Sequence, residues 1–129
     1  MIVAFWCIAL AWLMAYPPSW IAVLWLRAHG GFDNHAPRAQ MPKLEGMAFR
    51  AKSAHYNCLE ALPAFAAGVF VAHLGGGDPH LLTQLSVAFI AVRLVYIGLY
   101  LADQALLRSV AWTVGLLITC ALFALPVLK

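Results

Sequence analysis

The sequence predicts an all-α integral membrane protein, a four-helix up-down bundle, and three observations carry that prediction. Of 129 residues, 64% are apolar and 10% charged, with a mean hydropathy of +0.85; a soluble domain is about half apolar and about a quarter charged. The apolar residues fall into four runs of about 20 or more, the length a helix needs to cross hydrocarbon. The basic residues favour alternate connections, as in multi-pass membrane proteins. Eight basic and five acidic residues are too few to cover the surface of a soluble globule. The net charge of +3 and pI near 9.0 do not indicate nucleic acid, because the basic residues are thinly spread and form no stripe with interleaved aromatics.

The first run, residues 2–26, carries no charge before Arg27, and Pro17-Pro18 must kink or interrupt it. It is not expected to be a signal peptide, since no basic segment precedes it and no small-residue cleavage site closes it. From Ala28 to Gly46 the chain is polar and broken by Gly30-Gly31, Pro37 and Pro42, one long loop. The second helix, 47–74, ends at the turn Gly75-Gly76-Gly77-Asp78-Pro79. The third, 80–102, and fourth, 105–128, meet at a tight turn around Asp103-Gln104. A single domain, 1–129, accounts for the chain. Arg27, Arg38, Lys43, Arg50 and Lys52 flank the long loop while Gly75 to Pro79 carries no basic residue, so the loop is expected to face the cytoplasm and both termini the opposite side. Cys7, Cys58 and Cys120 sit singly in apolar stretches, which suits packed or lipid-facing thiols and offers no metal site.

Ionisable residues inside a membrane helix are costly, and they are either functional or internally paired. At about 100° per residue, Arg50, Ser53, Asn57, Glu60 and Ala64 share one narrow stripe of the second helix. Lys52 and His55 point elsewhere, Lys52 toward the headgroups and His55 as an interfacial or loop-contacting side chain. On the third helix Arg93, Tyr96, Tyr100 and Asp103 form a second stripe. Glu60 and Arg93 each lie ten residues from the polar boundary, at about 15 Å depth. A buried Glu60–Arg93 ion pair is therefore expected, with Arg50 level with Asp103. On the fourth helix Arg108, Trp112, Gly115 and Thr119 share a face. Arg108 in a first turn opposes the helix dipole, so it is either a positive-inside anchor or the partner of an anion. The convergence of Arg38, Arg50, Asn57, Tyr96, Tyr100, Arg108 and Ser109 at one end suits a small, water-soluble anionic ligand.

Arg50-x-x-x-Ala54-x-x-Asn57-x-x-Glu60 with Pro63, then Arg93-x-x-Tyr96-x-x-x-Tyr100, then Arg108-Ser109 and Trp112, resembles the motifs of the MAPEG family, the membrane-associated proteins in eicosanoid and glutathione metabolism. The likeness covers essentially the whole chain and is to a microsomal glutathione transferase-like, bacterial-type member, which implies a bacterial inner membrane. It implies a homotrimer holding glutathione between neighbouring protomers at the cytoplasmic side. Arg38, Arg50, Asn57, Glu60, Tyr96 and Tyr100 would bind or frame glutathione, and Arg93, the expected partner of Glu60, is counted with them. Arg108 would stabilise the thiolate, with Ser109 as a possible hydrogen-bond partner of the thiol. A thiol of pKa about 8.5 is mostly protonated at neutral pH, and a guanidinium favours its nucleophilic form.

The chain departs from the well-known branches at Phe49, where an acid is frequent, and at Ser53 and Tyr56, where extra arginines occur, so the ligand has fewer cationic partners. Ala61, Ala64, Gly68 and Ala72, with Gly115 and Thr119, permit close helix approach, either between protomers or within one. Two functions follow. One is a glutathione-dependent transferase or peroxidase acting on lipophilic electrophiles or lipid hydroperoxides, without a metal. The other is a non-catalytic glutathione- or lipid-binding or structural protein of the same fold. A transporter is disfavoured, since the first span has no embedded acid and the polar groups cluster in one half of the membrane.

Overall fold

The computed structural model describes residues 2–128; the end residues of the 1–129 domain, Met1 and Lys129, lie outside the described residues. Its long helices are α1 (Ile2–Leu13), α2 (Tyr16–Ala28), α3 (Gly46–Leu74), α4 (Pro79–Leu101) and α5 (Ala105–Ala124). With α1 and α2 counted as one span, four segments among the described residues are long and apolar enough to cross a membrane. The multi-pass four-span architecture expected from the hydropathy is thus present.

The first span breaks at Met14-Ala15, ahead of the prolines, and α2 then carries Pro17 and Pro18 in its first turn. Pro17 and Pro18 have no N–H to give the carbonyls of Leu13 and Met14 and clash with them, so the helix ends at Leu13 and restarts where proline is tolerated. The break lets α1 pack on α3 and α4 while α2 follows α3. His55 of α3 bonds the Ala15 carbonyl through Nδ1 at 2.7 Å. Of the two expected settings for His55, the contact with a connecting segment is the one the structure shows: the side chain is buried and ties α3 to the break.

The long loop holds a 3₁₀ turn, Arg38–Lys43, that its Gly and Pro content concealed. Gln40 is buried there: Nε2 donates to the carbonyls of Asp33 (2.7 Å) and Ala36 (3.1 Å), and Oε1 accepts from Asp33 N–H (2.9 Å). At the opposite end Asp78 caps α4 by accepting from Leu81 N–H at 2.7 Å. There the α3–α4 turn closes on the C-terminus: a Cβ on Gly75 would lie 2.6 Å from Pro126 Cγ, and Gly76 has φ +72. The last helix stops short of 128, since Pro126 turns its end into a 3₁₀ segment, Leu125–Val127.

The core is built from small residues and two rings. Ala4, Cys7, Ala11, Val69 and Ala72 are buried with Leu82 and Leu122, and Phe65 stacks on Phe89 at 3.9 Å between ring centres. Large apolar side chains such as Trp6, Trp20, Leu24 and Leu117 instead face outward. In lipid there is little hydrophobic drive to bury a leucine, whereas small residues let helices approach and gain dispersion contact. Gly68 of α3 is buried against α5, where an added Cβ would sit 3.2 Å from Leu122 Cβ, so at least this small residue serves packing within the protomer. Cys7 and Cys58 are buried free thiols and Cys120 is exposed, as expected.

Candidate functional site

Helix α3 separates two polar faces at the end of the bundle that carries the long loop and the α4–α5 turn. On the first face, between α3, α4 and α5, Asn57, Glu60 and Ala64 line a cavity of about 240 Å³ with Arg93, Trp112 and Gly115. Trp112 also lines a recess of about 420 Å³ with Tyr96, Tyr100, Arg108 and Ser109, so the two hollows adjoin. The helical periodicity of the sequence brings these residues together as expected.

Their partners differ from those expected. Arg93, only 3% exposed, does not pair with Glu60; the one ion pair among the described residues is Arg50–Asp103. The Arg93 guanidinium instead donates to Asn57 Oδ1 at 2.9 Å and Cys58 Sγ at 3.3 Å, and lies 4.2 Å from the Tyr96 ring centre. Its long stem carries the charge toward Asn57, one turn nearer the polar boundary, where an amide oxygen and a π-face replace a carboxylate. Glu60 is left exposed on the protomer at the cavity wall.

Arg108 makes the second such stack, 4.3 Å from the Tyr100 ring centre, and Tyr96 meets Tyr100 edge to face at 5.6 Å. The result is a continuous ladder, Arg93, Tyr96, Tyr100, Arg108, with two cations held on aromatic faces and no acid joined to either. Such a surface attracts anions, because the rings orient the guanidinium groups without neutralising their charge. Ser109 Oγ donates to the Ala105 carbonyl at 3.0 Å, leaving its oxygen free to accept a further hydrogen bond.

Arg50 is level with Asp103, as the depth comparison predicts, at 3.8 Å between Nη1 and Oδ2. It also donates to the Leu101 carbonyl at 3.3 Å, while its buried Nε has no hydrogen-bond partner. The guanidinium placed by resemblance among the ligand groups therefore already has protein partners. Ser53, on the same stripe, donates to the Phe49 carbonyl of its own helix.

Arg38 is not brought to this face. It is exposed on the far side of α3, lining a cavity of about 360 Å³ with Ser19, Gln40, Lys52, His55 and Tyr56. Lys52 does not run to the headgroups: it donates to Ser19 Oγ at 2.9 Å and lies 5.2 Å from the Tyr56 ring centre. This second face escaped the sequence reading, although Lys52, His55, Tyr56 and Leu59 recur at helical spacing and so signal a stripe of their own. Among the described residues no group of His, Cys, Asp and Glu is arranged to hold a metal.

Comparison with known proteins gives one family: the model described as MAPEG family matches residues 3–128, nearly the whole chain. No curated protein and no solved structure matches.

Proposed function

The chain belongs to the MAPEG family, and from that premise we propose that it is a membrane-bound glutathione-dependent transferase, with possible peroxidase activity, that activates the glutathione thiol beside Arg108. The observation that carries the reading is the cation–aromatic ladder ending in Arg108 above a cavity lined by Asn57 and Glu60. Glutathione has two carboxylates, an ammonium and a thiol. Arg93, Asn57 and the hydroxyls of Tyr96 and Tyr100 supply donors for carboxylates, and Glu60 supplies an acceptor for the ammonium. Arg108 favours the thiolate by charge, and Ser109 is the candidate hydrogen-bond partner of the sulfur, accepting from the thiol as it stands and donating to the thiolate once its hydroxyl turns from the Ala105 carbonyl.

In the transferase reaction the thiolate sulfur forms a bond to the electrophilic carbon, and the electron pair of the broken bond leaves on the displaced group or the opened epoxide oxygen. The thiol proton passes to solvent. In the peroxidase reaction the thiolate sulfur attacks the peroxide oxygen, the O–O bond breaks and the alkoxide leaves and takes up a proton, giving the sulfenic acid of glutathione. The thiol of a second glutathione then displaces water from it, so two thiols are oxidised to the disulfide as the peroxide is reduced by two electrons to alcohol and water. Lipophilic acceptors enter from the bilayer, against which the exterior is apolar.

Arg38 lies across α3 from Arg108 in one chain, so its participation in the same ligand requires a neighbouring protomer, in keeping with a homotrimer. The bias of basic residues toward the loop end supports a cytoplasmic site with both termini opposite, and the resemblance to bacterial-type members suggests a bacterial inner membrane. The test is titration of the detergent-solubilised protein with glutathione while following thiolate ultraviolet absorbance, then conjugation and peroxidase assays with generic lipophilic substrates. The absorbance should appear with the parent protein and vanish in Arg108→Ala. Binding without thiolate in the parent would favour the non-catalytic glutathione-binding protein.

A further inference from the structure

Helix α4 ends with no basic residue in its last turn. The last carbonyls of the helix are partly satisfied by the turn itself: the Ala102, Asp103 and Gln104 N–H groups return to Gly98, Tyr100 and Leu99 respectively. The Leu101 carbonyl accepts instead from Arg50 of α3, 51 residues away in the chain. A guanidinium at that place both fills an open acceptor and opposes the negative end of the α4 dipole. Its other arm reaches Asp103, the one non-glycine residue with positive φ (60) among the described residues, at the apex of the α4–α5 turn. Tyr100 stands just before this turn and Arg108 one helical turn after it, and their stack spans it.

We infer that Arg50 is a positioning residue of the thiol site, a clamp from α3 that fixes the α4–α5 turn and through it the Tyr100–Arg108 stack. This rests on the glutathione reading above for its functional consequence, and on the turn geometry alone for its structural one. The clamp is separable from ligand contact because Asp103 is 70% exposed and belongs to no cavity wall described above. Asp103→Asn keeps a residue type that tolerates left-handed backbone and removes only the charge. Arg50→Lys keeps a cation able to reach the same acceptors, whereas Arg50→Gln does not.

The experiment uses the full chain in detergent and has two readouts. Without ligand, amide hydrogen exchange over residues 101–108 should quicken about tenfold in Arg50→Gln and severalfold in Asp103→Asn, with α1 to α3 unchanged and Arg50→Lys close to the parent. With glutathione as the probe, the thiolate titration should move to higher pH in both variants, cutting the thiolate fraction at neutral pH by up to about tenfold. Glutathione affinity measured below that titration should change less than about threefold, too little for a lost charged contact. Unchanged exchange in both variants overturns the clamp whatever glutathione does. Faster exchange with an unmoved thiolate titration overturns its link to Arg108. A loss of affinity confined to Arg50→Gln makes Arg50 a direct ligand contact and overturns the inference. Absence of thiolate in the parent overturns the functional half together with the proposed function, and is recognised because the exchange readout is independent of it.

Discussion

Removing the Asn57 carboxamide should destabilise the protein far more than removing the Glu60 charge. Arg93 is a guanidinium at membrane depth, 3% exposed, with no carboxylate joined to it. Its strongest neutral partner is Asn57 Oδ1 at 2.9 Å; Cys58 Sγ at 3.3 Å and the Tyr96 ring at 4.2 Å are weaker. A hydrogen bond to a charged group contributes about 1.5–3 kcal/mol, and a sulfur acceptor and a cation–π contact recover only part of it. Asn57→Leu should therefore cost about 2 kcal/mol, roughly 30-fold in the folding equilibrium. Asn57→Asp sets a carboxylate at the same place and should equal or exceed the parent, because the desolvated guanidinium then gains a counter-charge. Glu60→Gln, which does not touch Arg93, should stay within about 0.5 kcal/mol while still weakening glutathione binding. Equilibrium unfolding in mixed micelles, followed by the fluorescence of the five tryptophans, measures all three without ligand. A Glu60→Gln loss equal to that of Asn57→Leu, or an Asn57→Leu loss below about 0.5 kcal/mol, would refute this account of Arg93.

The other predictions concern the ladder, the packing and the break. At saturating glutathione, Tyr100→Phe, which loses the hydroxyl but keeps the ring face under Arg108, should preserve the thiolate signal, whereas Tyr100→Leu should reduce it roughly fivefold, the equivalent of a cation–π contact of about 1 kcal/mol. Gly68→Leu drives side-chain atoms into Leu122 and Thr119 of α5 and should lower micellar stability by about 1–3 kcal/mol; Ala67→Leu, on the exposed neighbouring position, serves as the control and should change it little. His55→Leu deletes the bond to the Ala15 carbonyl and should cost about 1–2 kcal/mol, with faster amide exchange around residues 13–19 as its local signature.

Much of the fold was legible because the constraints of a bilayer act along the chain. Run length gave four spans, Gly75 to Pro79 gave the turn before α4, although Asp78 proves to be the cap and Pro79 the first residue of that helix, and counting residues from the polar boundary put Arg50 level with Asp103. Helical period likewise separated the Asn57–Glu60 face from Lys52 and His55. The 3₁₀ turn around Gln40 was hidden because its order comes from one side chain bonding three backbone groups, which no local propensity reports.

By itself, then, the sequence determined which segments span, how deep each polar residue lies and which face of its helix it occupies, since rise and angle per residue are fixed by the backbone. Only the tertiary structure decided who meets whom at a given depth. Arginine and lysine stems are long enough to reach several acceptors, so small differences in helix rotation and approach select among them. Those differences gave Arg93 to Asn57 and Tyr96 rather than Glu60, Arg50 to the end of α4, and Lys52 to Ser19 of α2.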